Sequence, residues 1–190
     1  VSYKCEWFEL VEASLQLRPY HNIPVEMTTA CVVSPSGPMA AGRNGTAMMT
    51  LSATAPAALK AASANWQVAC DIAEANGHVM DRRGWRMVGL CHIAETKDQA
   101  MKDIEYGMMD WINYFSTIGT LPMVPEEGKD DPIGYMIENG LAVIGTPDEA
   151  VKQIERIWEA SGGFGCYLIA DTNWAPFDAK LKSYDLFARY

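Results

Sequence analysis

Apolar positions along this chain alternate between short unbroken runs and longer stretches in which they recur every three or four residues. The first pattern is that of a strand buried on both faces, the second that of a helix with one face against a core. Residues 24–33 (PVEMTTACVV) form the first run, and Ser34-Pro35-Ser36-Gly37-Pro38 turns it into a short helix of small residues that stops at Asn44-Gly45. Residues 47–53 (AMMTLSA) form the second run. Thr54 and Pro56 are helix-start signals after it, and Leu59, Ala62, Trp66, Ala69, Ala73 and Asn76 follow at helical spacing up to Gly77.

The third run, 85–94 (WRMVGLCHIA), turns at Glu95. Thr96 and Gln99 then form a capping box, and Ala100, Ile104, Met108, Trp111 and Phe115 mark one face of a single long helix over 97–116. Residues 117–145 contain Pro122, Pro125 and Pro132 among scattered glycines; they are too long for an ordinary connection and read as an insertion loop with a short helix near 133–138. A second capping box, Thr146-Pro147-Asp148-Glu149, opens a helix with Val151, Ile154, Ile157 and Trp158 on its buried side. Residues 164–170 are the fourth apolar run and 180–190 the closing helix.

Strands that alternate with helices pair in parallel through right-handed crossovers, so the fold class is α/β. A (β/α)8 TIM barrel needs about 250 residues and eight such units. This chain has 190 residues and four units, half of one. The expected structure is a single domain over 1–190, about four parallel strands side by side in chain order, with helices 57–76, 97–116 and 148–161 packed outside.

Composition narrows the partners. With 49% hydrophobic and 21% charged residues the chain can bury a core, and its net charge of −9, with basic residues nowhere clustered, disfavours nucleic acid and anionic membrane. The charge-free stretches 27–42 and 46–59 are broken by Pro, Ser, Thr and Gly, so neither reads as a spanning segment of about 20 apolar residues. The chain opens on Lys4 and Glu6 without an apolar leader pattern, and a cytoplasmic location is expected. Cys5, Cys31, Cys70, Cys91 and Cys166 are odd in number and widely spaced, as core thiols are and disulfide frameworks are not. His21, His78 and His92 are equally isolated, so no metal site is expected.

Several strings nevertheless stand in an informative order. They are Val32-Val33-Ser34-Pro35-Ser36-Gly37-Pro38-Met39-Ala40-Ala41-Gly42-Arg43-Asn44-Gly45, then Trp85-Arg86 with His92-Ile93-Ala94-Glu95-Thr96, then Ile144-Gly145-Thr146-Pro147-Asp148-Glu149 and Ser161-Gly162-Gly163-Phe164-Gly165. In that order they resemble the bacterial luciferase-like flavin-dependent monooxygenases. The ending, Asn173-Trp174-Ala175-Pro176 and Ser183-Tyr184-Asp185-Leu186-Phe187-Ala188-Arg189, is similar to the closing helix of members that oxidise small organic molecules. Members are about twice this length, and the resemblance implies the C-terminal half of the barrel, the missing part preceding Val1. It further implies reduced FMN supplied by a separate flavin reductase, O2, and transfer of one oxygen atom to a small organic substrate. A homo-oligomer or the missing N-terminal half would cover what a half-barrel exposes. The alternative is a non-catalytic half-barrel binding module that pairs with another chain.

The residues offer one physical candidate for a cofactor contact. Ser34 and Ser36 bring hydroxyls, Gly37 lets backbone N–H groups approach an anion, and a helix begins at the same point with its positive end. Taken alone, Ser-Pro-Ser-Gly is an ordinary capped turn. The resemblance makes Ser34, Pro35, Ser36 and Gly37 a site for the FMN phosphate. Trp174 and Phe177 follow the fourth strand at the end where barrel active sites lie, and are the candidates for substrate contact. Cys91 and His92 are strand neighbours pointing to opposite faces, so they form no dyad. Asp71, Glu74, Asp103 and Glu105 read as solvated helix faces, and Trp66, Trp111 and Trp158 as packing. A different phosphate-binding barrel enzyme would need a Lys or an acid pair at its strand ends, yet these carry Ser34, Ala53, Glu95 and Asp171. The resemblance implies that the catalytic polar groups lie largely in the missing half, so no residue of this chain is a catalytic candidate.

Overall fold

The computed structural model describes residues 1–14, 16–23, 25–51, 53–118 and 124–190. Pro24 and Ser52, which the sequence reading includes in the first two strands, and Pro122 of the insertion lie outside the described residues. In chain order the elements are β1 (Tyr3–Lys4), β2 (Glu9–Leu10), β3 (Thr28–Cys31), α1 (Ser36–Asn44), β4 (Ala47–Thr50), α2 (Pro56–Ala75), β5 (Arg86–Ile93), α3 (Lys97–Ile104), α4 (Met108–Ile118), α5 (Pro132–Glu138), β6 (Ala142–Gly145), α6 (Pro147–Ser161), β7 (Cys166–Ile169) and α7 (Phe177–Arg189). β1 and β2 form a small antiparallel pair that the sequence reading does not contain. Every pairing in the main sheet is parallel, as the alternation of runs and helices requires.

β5 is twice as long as its neighbours and organises the sheet. Backbone groups of successive strand residues point to opposite edges. Trp85 and Gly89 accept from Cys166 N and Ala170 N of the β7 segment, while Val88 accepts from Ala53 N just beyond β4. Ala94 N, of the same parity as Val88, donates to Gly145 O of β6. β6 therefore lies along the edge of β5 that β4 leaves, and the remaining order is β3-β4-β5-β7, the chain order expected. On the other edge, where β7 has ended, Ile93 N is satisfied by the buried hydroxyl of Ser183 on α7 at 2.9 Å.

Register fixes the two faces. Cys31, Thr50, Met87 and Tyr167 are consecutive Cα partners, as are Ala30, Met49, Arg86 and Cys166 on the opposite face. The first row is covered: Cys31, Met48 and Met87 pack with Ala41 of α1, Ala62, Trp66 and Ala69 of α2, and Ile157 of α6. Arg82 locks this side, its guanidinium 4.6 Å from the Trp66 ring centre and its Nη1 donating to Ser161 O and Gly163 O. In the second row Ala30 and Cys166 are exposed and Met49 and Arg86 half-buried.

The segment after β5 departs from the sequence reading in three ways. The helix expected over 97–116 is two helices, because the N–H of Gly107 is turned to Trp174 O at 3.0 Å and Tyr106-Gly107 leave the helical path. Secondly, residues 142–145 are a fully buried strand, which the Gly/Pro-rich composition around them concealed. Thirdly, α3 and α4 do not join the outer helices. Ala100, Ile104, Met108 and Ile112 pack with Ala142 and Ile144 of β6 and with Leu90, on the face that carries Val88, at the C-terminal end of the sheet. The helix that returns along the outer face after β5 is α6 instead, through Ile157 and Ala150.

Helix termini follow the local chemistry. Thr146 and Glu149 form the expected capping box, with Thr146 N donating to Glu149 Oε2 at 2.8 Å. Thr96 Oγ1 accepts from Gln99 N at 3.2 Å, while the Gln99 side chain bonds Asp103 rather than closing the box. Along α6, Val151 and Trp158 face solvent, contrary to the sequence reading, and Trp158 is 54% exposed. The helix needs only Ala150 and Ile157 for its core contact, and the Trp158 indole lies against Phe164 across the chain reversal at Gly162-Gly163.

Candidate functional site

Parallel strands put all their C-terminal ends at one edge of the sheet, so the segments after Cys31, Thr50, Ile93 and Ile169 gather there. The segment after β3 carries Ser34, Pro35, Ser36 and Gly37. Ser34 and Ser36 are exposed, with their hydroxyl oxygens 2.8 Å apart. Pro35 is the N-cap residue of α1 and has no side-chain donor or acceptor to offer it; among the described residues no side chain caps this helix, and its first turn holds no acidic residue. Gly37 lies so close to β3 that a Cβ would stand 2.6 Å from Ala30 O. The result is a helix start with free positive polarity, two adjacent hydroxyls and a closely approached backbone. An anion fits these groups.

The two expected substrate contacts are not brought to one surface. Trp174 is 1% exposed and packs edge-on against Trp111, with ring centres 5.5 Å apart, inside the core formed by α3, α4 and β6. Phe177, the first residue of α7, is 69% exposed. In this chain Trp174 is a packing residue under the C-terminal edge, and Phe177 is the one open to a ligand.

Between α3 and α7 lies a groove of about 790 Å³ at the C-terminal end of β5, lined in part by Glu95, Thr96, Asp103, Lys182 and Asp185. Just behind it sits a pair that sequence reading missed. His92, buried on the face of Leu90 and Val88, places Nε2 3.1 Å from Asp103 Oδ2, and Asp103 Oδ1 accepts from Gln99. Asp103 is thus no solvated helix residue. The available signal was its place one turn before the helix break at 105–107, where α3 bends over the end of β5. Cys91 faces the opposite side, among Val143, Ala150 and Phe187, where burial pushes its thiol up to about 12. Glu95 and Asp171 are exposed at their strand ends. Among the described residues no group of three His, Cys, Asp or Glu side chains is placed to hold a metal ion, and no helix is long and apolar enough to cross a membrane.

A second missed residue is Asn65 of α2, 6% exposed, whose Nδ2 donates to Val33 O at 3.2 Å. It ties the loop that carries Ser34 to the outer helix layer.

No family model matches the chain. It is 41% identical over 189 residues to limonene 1,2-monooxygenase of Rhodococcus erythropolis, covering all of this chain and 48% of that protein. It is 32% identical over 188 residues to 4-hydroxyprotoasukamycin monooxygenase of Streptomyces nodosus subsp. asukaensis, covering 97% of this chain and 51% of that one. Its fold matches the oxygenating constituent of 3,6-diketocamphane monooxygenase from Pseudomonas putida, solved in complex with FMN, with a TM-score of 0.72 at 18% identity over all of this chain and 57% of that one. The chain spans about half the length of each of these proteins. Its parallel βα units are those of a partial TIM barrel, and the proteins it is similar to in sequence and in fold are luciferase-like monooxygenases.

Proposed function

We propose that this chain is the C-terminal half of an FMN-dependent monooxygenase that oxidises a small organic substrate, and that the loop Ser34-Pro35-Ser36-Gly37 holds the FMN phosphate. The carrying observation is the uncapped start of α1, with two exposed hydroxyls and free N–H groups at the C-terminal edge of a barrel-type sheet. The relatives' activities support the reading. When bound, reduced FMN would supply the chemistry, activating O2 for transfer of one oxygen atom to the substrate. The residues of this chain would bind and orient it: Ser34 and Ser36 turn their hydroxyls from each other to the phosphate, and the N–H groups at Ser36 and Gly37 complete the cradle. Phe177 contributes an apolar contact for substrate, and the core of α3, α4 and β6, Trp174 included, shields the same end of the sheet from water.

The same proposal includes the partners. Residues 1–190 act as one domain with 117–145 inserted, and a complementary N-terminal half closes the barrel over the row Ala30, Met49, Arg86 and Cys166, of which Ala30 and Cys166 are exposed. β3 and β7 are each paired on one side only among the described residues. Such edges demand an occupant, and a homo-oligomer is the other way to cover them. A separate reductase would deliver reduced flavin, and free cysteines accord with a cytoplasmic setting. A non-catalytic half-barrel that pairs with another chain rests on the same open face. Fusing the chain behind the first half of the limonene monooxygenase separates the two: oxygenation of a terpene with reduced FMN establishes the catalytic half, and a folded, flavin-binding but inert fusion establishes the module. In the fusion, Ser36→Ala should weaken FMN by about 1.5–3 kcal/mol, one to two powers of ten, and leave riboflavin unchanged. Equal affinity for FMN and riboflavin in the unmutated fusion would remove the phosphate assignment.

A further inference from the structure

Six polar side chains are buried among the described residues, and five of them serve the framework. Thr50 accepts from Trp85 Nε1, Thr54 donates to Leu141 O, Ser161 bonds its own helix end, Ser183 accepts from Ile93 N, and His92 pairs with Asp103. Asn65 differs, because its partner is the carbonyl of Val33, one residue before Ser34. The ladder between β3 and β4 has ended by then, its final bond running from Leu51 N to Cys31 O at 2.8 Å. Beyond it, Val32 and Val33 are exposed, and the hydroxyls of Ser34 and Ser36 bond only each other among the described residues. The Asn65 bond is the one side-chain tie from another element to residues 32–36 among the described residues.

Its placement on α2 is specific. Asn65, Ala69 and Ala73 lie four residues apart, on one stripe of the helix. At Ala69 and Ala73 the stripe meets α1 so closely that a Cβ on Gly42 would stand 2.5 Å from Ala69 O and 2.9 Å from Ala73 N. α1 is thus seated on α2 at its C-terminal end by close backbone approach at Gly42, with Ala41 packed beside it, and the loop before it is tied to α2 by one amide. An alanine at 65 would continue the small-residue stripe and pack there. Asparagine instead buries an amide, which is unfavourable unless it is hydrogen-bonded, and directs it at the loop.

We propose that Asn65 is a positioning residue for phosphate recognition: by holding Val33 O it fixes the Ser34 hydroxyl relative to Ser36 and the N-terminus of α1, and so sets the preference for FMN over riboflavin. This rests on the phosphate reading of the loop. It assigns to the outer helix layer a part in ligand choice that no residue of the loop itself reveals.

The test uses the fusion with a complementary first half and measures FMN and riboflavin affinities for the unmutated protein, Ser36→Ala, Asn65→Ala and Asn65→Leu, with a thermal melt of each. Leucine keeps the branched outline of the side chain and removes both the amide donor and its carbonyl acceptor. Both Asn65 variants should bind FMN about tenfold more weakly, the weight of one hydrogen bond, and bind riboflavin as the unmutated protein does. An unchanged ratio of the two affinities, a parallel loss of both, or failure of both variants to fold would make Asn65 a framework residue and overturn the proposal. An unmutated protein that does not distinguish FMN from riboflavin removes the phosphate reading itself. A protein that distinguishes them, and loses this in Ser36→Ala but not in the Asn65 variants, retains that reading and removes only this one.

Discussion

The two faces of the sheet are built from the same strands and have opposite fates. Cys31, Thr50, Met87 and Tyr167 lie under α1, α2, α6 and α7, while Ala30, Met49, Arg86 and Cys166, one residue away on each strand, are exposed or half-buried. In a barrel the second row points inward. The difference therefore separates what this chain buries by itself from what the proposed complementary half would cover.

Thiol chemistry gives the largest contrast. Cys166 should react with a maleimide in the native chain at least about a thousandfold faster than Cys91, whose labelling waits on opening events comparable to global unfolding. Peptide mapping by mass spectrometry reads both sites. Protection of Cys166 after fusion to a complementary half would confirm that its row faces inward, and equal labelling of the two cysteines in the isolated chain would erase the distinction.

Core truncation comes next. Met87→Ala should cost about 2–5 kcal/mol by denaturant unfolding, and Val88→Ala, on the half-open face, less than about 1 kcal/mol. The Val88 value should rise once the barrel is complete. Equal losses in the isolated chain would mean that both faces are packed alike.

The outer row also predicts an alkaline transition. Burial raises the Cys31 thiol to about 11 and the Cys91 thiol to about 12, from the usual 9.0. Below pH 9 both thiols are neutral folded or unfolded. Above it the unfolded chain ionises first, so stability falls progressively between pH 9 and 12. Cys91→Ala, compared with the unmutated chain at pH 8 and pH 10.5, should shrink that fall; an identical pH dependence would show that Cys91 plays no part in it.

The smallest effect belongs to Arg86, whose guanidinium lies 2.8 Å from the exposed carboxylate of Glu26. Arg86→Gln should change the stability of the isolated chain by under about 1 kcal/mol. A larger loss would show that the inner row is already structural without a partner.

How much of this was legible beforehand follows from the range of the interactions involved. Four parallel strands in chain order and α1, α2, α6 and α7 could be read because each is a local pattern of spacing, caps and breakers. The loop Ser34–Gly37 was legible for the same reason. The break between α3 and α4 was not, since it depends on Gly107 N finding Trp174 O, 67 positions away in the chain. β6 was hidden because four residues among glycines and prolines carry no period; it exists because β4 ends early and leaves an edge of β5 open.

By itself, then, the sequence determined the class of the fold, the parallel order of the strands, the position of the Ser34–Gly37 loop at a helix start and the likeness to a family, all of them properties of short segments. The tertiary structure decided which face of each strand is covered, that His92 meets Asp103, that Trp174 is buried while Phe177 is not, and that Asn65 holds the loop. These depend on residues tens of positions apart meeting in space, and the polarity of Asp103 or Asn65 on its own helix says nothing of the partner that the fold presents to it.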